Sequence, residues 1–196
     1  MKISESETNK GASVKSSLIQ TPSTNNISPT FCVAMLKNGS TVKIEGKIED
    51  FLQTIKDADF AWINIQVENF KDEGEKVASV LGFKLSIIDE LISQRFSGYD
   101  DQTTELGLLL PAVHVRELEV EINKLIILIK NNLIVTIHGE QVTRLVKFAR
   151  YAVTFFKKVP KNLDDVDKVS LVLIRILDEN NERNFDGIRS IQEQGE

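Results

Sequence analysis

Residues 125–138 read Leu125-Ile126-Ile127-Leu128-Ile129-Lys130-Asn131-Asn132-Leu133-Ile134-Val135-Thr136-Ile137-His138. Two apolar runs rich in β-branched residues flank Asn131-Asn132, and such side chains pack well on a pleated surface. Asparagine is one of the few residues besides glycine that enters the left-handed backbone of a tight turn. The stretch is therefore read as a β-hairpin, its first strand starting near Leu118 and its second ending at His138. With Leu106 to Val115 ahead of it, these are the longest strands in the protein.

Helical spacing takes over downstream. From Gln141, the apolar positions Val142, Leu145, Val146, Ala149, Ala152, Val153 and Phe156 recur at three and four, which predicts a helix stopped before Pro160. Asn162 is placed to cap the next helix, with Asp164 and Asp165 in its first turn. Val166, Val169, Leu173, Ile176 and Leu177 form its stripe. Polar residues 178–184 interrupt that stripe before Phe185, Ile188 and Ile191 resume it without a closing element, so the helix is expected to lead outward.

Upstream, Phe31 to Leu36 and Thr41 to Ile44 flank the turn signal Lys37-Asn38-Gly39-Ser40 and read as a first hairpin. Ile48, Phe51, Leu52 and Ile55 predict a helix, and Phe60 to Ile65 a strand rich in rings and β-branched residues. Val77, Val80 and Leu81 mark a short helix ended by Gly82, and Ile87, Ile88, Leu91 and Ile92 a second one, with Asp89 and Glu90 on or near its wet side. Both helices would cover a sheet. The fold class expected is α/β, with a mixed sheet between helical layers. Residues 1–28, rich in Ser, Thr, Asn and Lys, are expected to form a flexible tail. The domain is placed at 29–182 and the start of a connecting helix at 183–196.

The chain has 196 residues, 41% hydrophobic and 27% charged, which suits one domain with a proper core and excludes collagen, coiled coil and wholesale disorder. Its formal net charge of −5 argues against general nucleic-acid binding. No apolar run approaches the roughly 20 residues that span a bilayer. The single cysteine, Cys32, excludes an internal disulfide and a multi-cysteine zinc site.

Catalytic motifs are missing: the glycines form no GxGxxG, GxxxxGK[ST] or GxSxG, and neither histidine sits in HExxH. Cys32 lies inside an apolar strand, where a thiol is buried and inert, and would need His114 or His138 beside it to act as a nucleophile. Each histidine is read as a satisfied scaffold group or as one ligand of a metal site, the scaffold being favoured because zinc wants three or four such ligands. Arg144, Lys147, Arg150, Lys157 and Lys158 are read as a solvated basic face of the helix after His138. The carboxylate pairs Asp89-Glu90, Asp100-Asp101, Asp164-Asp165 and Asp178-Glu179 are read first as surface, because adjacent acids on a helix point in different directions; as metal ligands they would suit a hard ion such as magnesium, which keeps several waters and takes one or two carboxylates.

Several strings in order resemble the cytoplasmic N-terminal domain of the CorA family of divalent-cation transporters. They are Trp62-Ile63-Asn64-Ile65, Leu81-Gly82-Phe83 with the Ile87-Ile88-Asp89-Glu90-Leu91 helix, Tyr99-Asp100-Asp101 leading into a strand, and the hairpin quoted first. The match spans roughly residues 31–180. The resemblance implies an αβα sandwich with a mixed parallel and antiparallel sheet, followed in the family by a stalk helix and two membrane helices of a pentameric pore. The family's Gly-Met-Asn pore motif is absent here, and of its Arg-Pro-Lys run only Arg95 is kept.

What the resemblance implies about function is regulatory. Acidic groups on the soluble domains bind Mg2+ between neighbouring subunits and hold the pore shut when the ion is plentiful. Asp89 corresponds to the acid that bridges to the next subunit's stalk. A second, lesser site falls at Leu171 to Glu179, where Arg175 holds the matching position and Asp178 or Glu179 could substitute. The expected ion is Mg2+, bound weakly by this chain alone, with Co2+ or Zn2+ as alternatives. The expected partners are subunits of the same homopentamer, on the cytoplasmic side of the membrane, with no nucleic acid, small-molecule substrate or catalysis. The rival readings are a zinc, cobalt or nickel transporter domain of the same family, an α/β hydrolase or transferase, and a stand-alone interaction module.

Overall fold

In the computed structural model of the protein, residues 28–116 and 119–194 are described. The stretch read as a tail lies outside them, Ser28 excepted. Element order is β1 (Phe31–Leu36), β2 (Thr41–Glu45), α1 (Ile48–Asp57), β3 (Ala58–Gln66), α2 (Phe70–Leu81), α3 (Leu85–Ser93), β4 (Gly98–Asp101), β5 (Glu105–Arg116), β6 (Glu119–Lys130), β7 (Leu133–His138), α4 (Arg144–Lys158) and α5 (Asp165–Gln194).

The hairpin that opened the sequence reading is the middle of the sheet. β6 and β7 pair antiparallel from Leu125↔His138 to Lys130↔Leu133, with Asn131 in the left-handed region at φ 52°. Asn132 pins the turn to the next strand, its side-chain amide donating to the Ala58 and Asp59 carbonyls at 3.2 and 2.8 Å. The seven strands run in the order β2-β1-β3-β7-β6-β5-β4. Only β3 and β7 are parallel; every other neighbouring pair is antiparallel, so the sheet is mixed.

Because side chains alternate across a strand, each central strand feeds two cores. Cys32, Ala34, Ala61, Ile63, Val135 and Ile137 point to the face covered by α1, α2 and α3. Phe31, Val33, Phe60, Trp62 and Ile134 point to the face covered by α4 and α5. The result is the expected αβα sandwich with a mixed sheet. On the second face Trp62 stacks on Phe148 with ring centroids 4.9 Å apart, and Phe60 on Phe156 at 4.8 Å.

Four boundaries differ from the sequence expectation. Tyr99-Asp100-Asp101 is an edge strand, β4, paired to β5. α2 begins at Phe70, well before Val77, because Asn69 caps it by accepting the Lys71 and Asp72 N–H groups. α5 begins after Asp164, whose carboxylate accepts the Asp167 N–H at 2.8 Å, so Asp164 and not Asn162 caps it. α5 then runs 30 residues without a break at 178–184.

Candidate functional site

Asp89 sits on a helix fixed from three directions. Ile87, Ile88 and Leu91 are fully buried under α3. Gly107 on β5 makes the close approach possible: a Cβ there would lie 2.7 Å from Leu91 Cδ1 and 2.8 Å from Ile87 Cγ1. Both helix ends meet a charge that suits the helix dipole. At the N-terminus the buried Glu105 accepts the Lys84 N–H at 2.9 Å, and at the C-terminus Lys124 Nζ donates to the Ile92 and Gln94 carbonyls at 2.6 and 3.1 Å. Burial acts to raise the Glu105 carboxyl, but Lys130, 2.8 Å away, and the Lys84 N–H outweigh it and hold it below the usual range.

On that platform Asp89 is exposed, and its carboxylate has no hydrogen-bond or ion-pair partner among the described residues. Its neighbour Glu90 accepts from Gln94 Nε2 at 2.8 Å. Asp100 and Asp101 are likewise occupied, by Gln102 Nε2 and the Thr103 N–H.

Asp178 and Glu179 lie on α5, on the other side of the sheet from Asp89. Arg175 holds both, donating to Asp178 Oδ2 at 2.5 Å and to Glu179 Oε1, and it donates to the Tyr151 hydroxyl at 3.0 Å. Burial and the Glu182 carboxylate raise the Glu179 carboxyl, with Arg183 opposing them. The structure thus keeps Asp89 and the Asp178-Glu179 pair on separate surfaces. Among the described residues no group of three or more His, Cys, Asp or Glu could hold a metal ion. A hydrated Mg2+ takes one or two carboxylates, and Asp89 presents a single unpartnered one. The Asp178-Glu179 pair fits a cation only where Arg175 is displaced.

The remaining chemical candidates resolve into scaffold. His138 is fully buried in a chain of polar groups: Trp62 Nε1 donates to Thr136 Oγ1 at 3.0 Å, which donates to Asn64 Oδ1 at 2.7 Å. Asn64 Nδ2 stands 2.9 Å from His138 Nε2, and His138 Nδ1 stands 2.8 Å from the Gly139 carbonyl. A carbonyl only accepts, so Nδ1 carries the proton and Nε2 accepts from Asn64. Cys32 faces the opposite layer, and burial pushes its thiol up to about 12. The Cys32 thiol and the His138 imidazole, on opposite faces of one sheet, form no nucleophile and base pair.

Arg144 departs from the sequence reading of a solvated basic face. It is 7% exposed, and its guanidinium donates to the Val113 carbonyl, the Asn180 carbonyl and side chain, and the Asn184 side chain at 2.7 to 3.0 Å. Asn180 and Asn184 in turn donate to the Pro111 carbonyl. These asparagines occupy the inward stripe of α5 where apolar residues would continue it. The polar interruption at 178–184 is a buried contact with Arg144, and the signal in sequence was the Asn180-Asn184 spacing of four.

No helix among the described residues is long and apolar enough to cross a membrane. The complete CorA magnesium transporter from Methanocaldococcus jannaschii has the same fold, with a TM-score of 0.61 at 16% identity over 84% of this chain and 48% of that one. The soluble domain of CorA from the same organism aligns at 19% identity and a TM-score of 0.46, over 80% of this chain and 63% of that one. This chain spans about half the length of the complete transporter, 48%. No curated protein matches the chain by sequence. A family model described as CorA-like Mg2+ transporter protein matches residues 57–196, which takes in everything from β3 to the end of α5. The chain belongs to the CorA-like Mg2+ transporter protein family.

Proposed function

We propose that this chain is the ion-sensing, regulatory domain of a CorA-like magnesium transporter, on the cytoplasmic side of the membrane, and that it neither conducts nor catalyses. The observation that carries the reading is Asp89: an exposed, unpartnered carboxylate on a helix locked at both ends and along its buried face. A lone carboxylate cannot strip the hydration shell of Mg2+, but it can share a hydrated ion with an acid of a neighbouring subunit. Unpaired carboxylates facing each other repel, and a bridging cation reverses that sign, so occupancy couples ion concentration to how tightly a ring of subunits holds.

α5 supports the same reading. Leu171, Ile174, Phe185 and Ile188 are exposed at 38 to 61% and share one stripe, with Asp178 among them. A run of exposed apolar residues around a charged group suits a subunit interface. A second, lesser ion position there would use Asp178 or Glu179 in place of their contacts with Arg175.

The test is thermal melting across a series of Mg2+, Co2+ and Zn2+ in the chain and in Asp89→Asn. An ion that binds the native state raises the melting temperature by linkage. A weak rise with Mg2+ that is absent in Asp89→Asn is expected. The same Mg2+ response in both proteins would remove Asp89 from the mechanism, and a rise confined to Co2+ or Zn2+ would reassign the ion.

A further inference from the structure

A cavity of about 260 Å³ opens between β5, the start of α4 and the second half of α5. Its wall carries three cationic side chains, Arg144, Lys147 and Arg183, and one acid, Asp186. The charges are unevenly matched. Asp186 stands 3.6 Å from Arg183, while Lys147 is exposed and has no ion-pair partner among the described residues. Arg144 is the telling member. All its acceptors are neutral oxygens, of Val113, Asn180 and Asn184, so its buried charge is solvated by dipoles and met by no anion. A charge removed from water is costly unless it is paired. Instead of an acid, a second guanidinium stands near it: burial first, and then Arg183, lower the Arg144 pKa to about 10. Four hydrogen bonds hold the guanidinium in place, and Gly187 lets α5 lie close to β5, where a Cβ would come 3.1 Å from Val115 Cγ2. The cationic wall is therefore built into the packing of three elements.

We propose that this cavity is an anion site for a phosphate-class oxyanion, which supplies the missing counter-charge to Arg144 and Lys147, with Arg183 beside them on the same wall. A formal excess of two positive charges on the wall suits a phosphate dianion. The volume is below the range of about 300 to 1,000 Å³ typical of sites that enclose a larger organic ligand, which favours a phosphoryl group over a whole nucleotide. Guanidinium groups match tetrahedral oxyanions through forked donation, and Lys147 adds a mobile point charge. The proposal does not depend on Asp89 or on ion sensing.

The experiment is a titration of the chain with inorganic phosphate, and in parallel with ADP, in Mg2+-free buffer with chloride adjusted to constant ionic strength. Thermal melting and backbone amide NMR are the readouts. Lys147→Gln with Arg183→Gln, both at exposed positions, is the comparison protein, and its circular dichroism checks that it folds. We expect a saturable rise of about 3 °C in melting temperature. The amide shifts should cluster at residues 141–147 and 183–190, with affinity at least tenfold lower in the double variant. Phosphate binding at least as tight as ADP assigns the site to free oxyanion, and tighter ADP binding by the same residues assigns it to a phosphate carried on a larger molecule. No saturable response beyond chloride, or equal binding by the double variant, overturns the proposal.

Discussion

At His138, burial lowers the imidazole pKa below its ordinary 6.5, and the Gly139 hydrogen bond only partly opposes it. The unfolded chain then binds more protons than the native one as pH falls through the region below 6.5, so stability present above that pH is lost on acidification. Melting temperature should fall between about pH 7 and 5 more steeply in the wild type than in His138→Gln. Glu45 and Glu105, both held below 4.5, give up their contributions only at lower pH, which separates the two windows. Thr136→Val tests the same network differently. It leaves the fully buried Trp62 Nε1–H without its acceptor at nearly constant volume, and should cost about 1 to 3 kcal/mol by urea denaturation. Sequence alone left His138 open between scaffold and ligand, because the choice depends on Asn64, 74 residues away, pairing with its ring. Asp89 was legible as a wet-side residue from the Ile87-Ile88-Leu91 spacing; that its carboxylate has no partner was not.

Among the elements, α3 shows how a short helix is made rigid by residues distant in sequence. Glu105 and Lys124 serve its ends, and Gly107 its underside. Gly107→Ala should therefore cost about 1 to 3 kcal/mol despite removing a flexible residue from a strand, because the new methyl meets two buried side chains that are already packed. Chemical denaturation checks this, and an unchanged midpoint would show that α3 can move outward. The helical spacing of α3 was plain in the sequence, but its caps were not, since none of them is local. α2 was foreshortened for another reason. Gly74 and the charged residues around it mask the stripe from Phe70, yet Gly74 is where Ile88 of α3 packs, 3.5 Å from its would-be Cβ. α5 was divided at 178–184 because a polar inward stripe is indistinguishable from an exposed one until Arg144 is seen against it.

For the whole molecule, the exposed apolar stripe on α5, joined by Val166 at 72% exposure, predicts weak self-association. Sedimentation at micromolar concentration should give a monomer, with association growing as concentration rises. A stable pentamer of this chain under those conditions would contradict a reading in which a shared ion and further contacts complete the ring. Each face of the sheet has its own core: Trp62, Phe60, Phe148 and Phe156 are fully buried on one face, and Phe51, Ile63, Ile87 and Leu91 on the other.

Element type and layer were determined by the sequence itself: β-branched runs around Asn131-Asn132 had to become strands, and the three-four spacings had to become helices that cover them, since burying apolar surface admits few other arrangements. Glycine spacing and the solitary Cys32 likewise showed which motifs and disulfides the sequence does not contain. The tertiary structure alone decided which polar groups are spent and which are free. Arg144 went inward, His138 was satisfied by Asn64, and Asp89 was left open. Hydrogen bonds and ion pairs act over about 3 Å between residues tens of positions apart, and no periodicity along the chain encodes that distance.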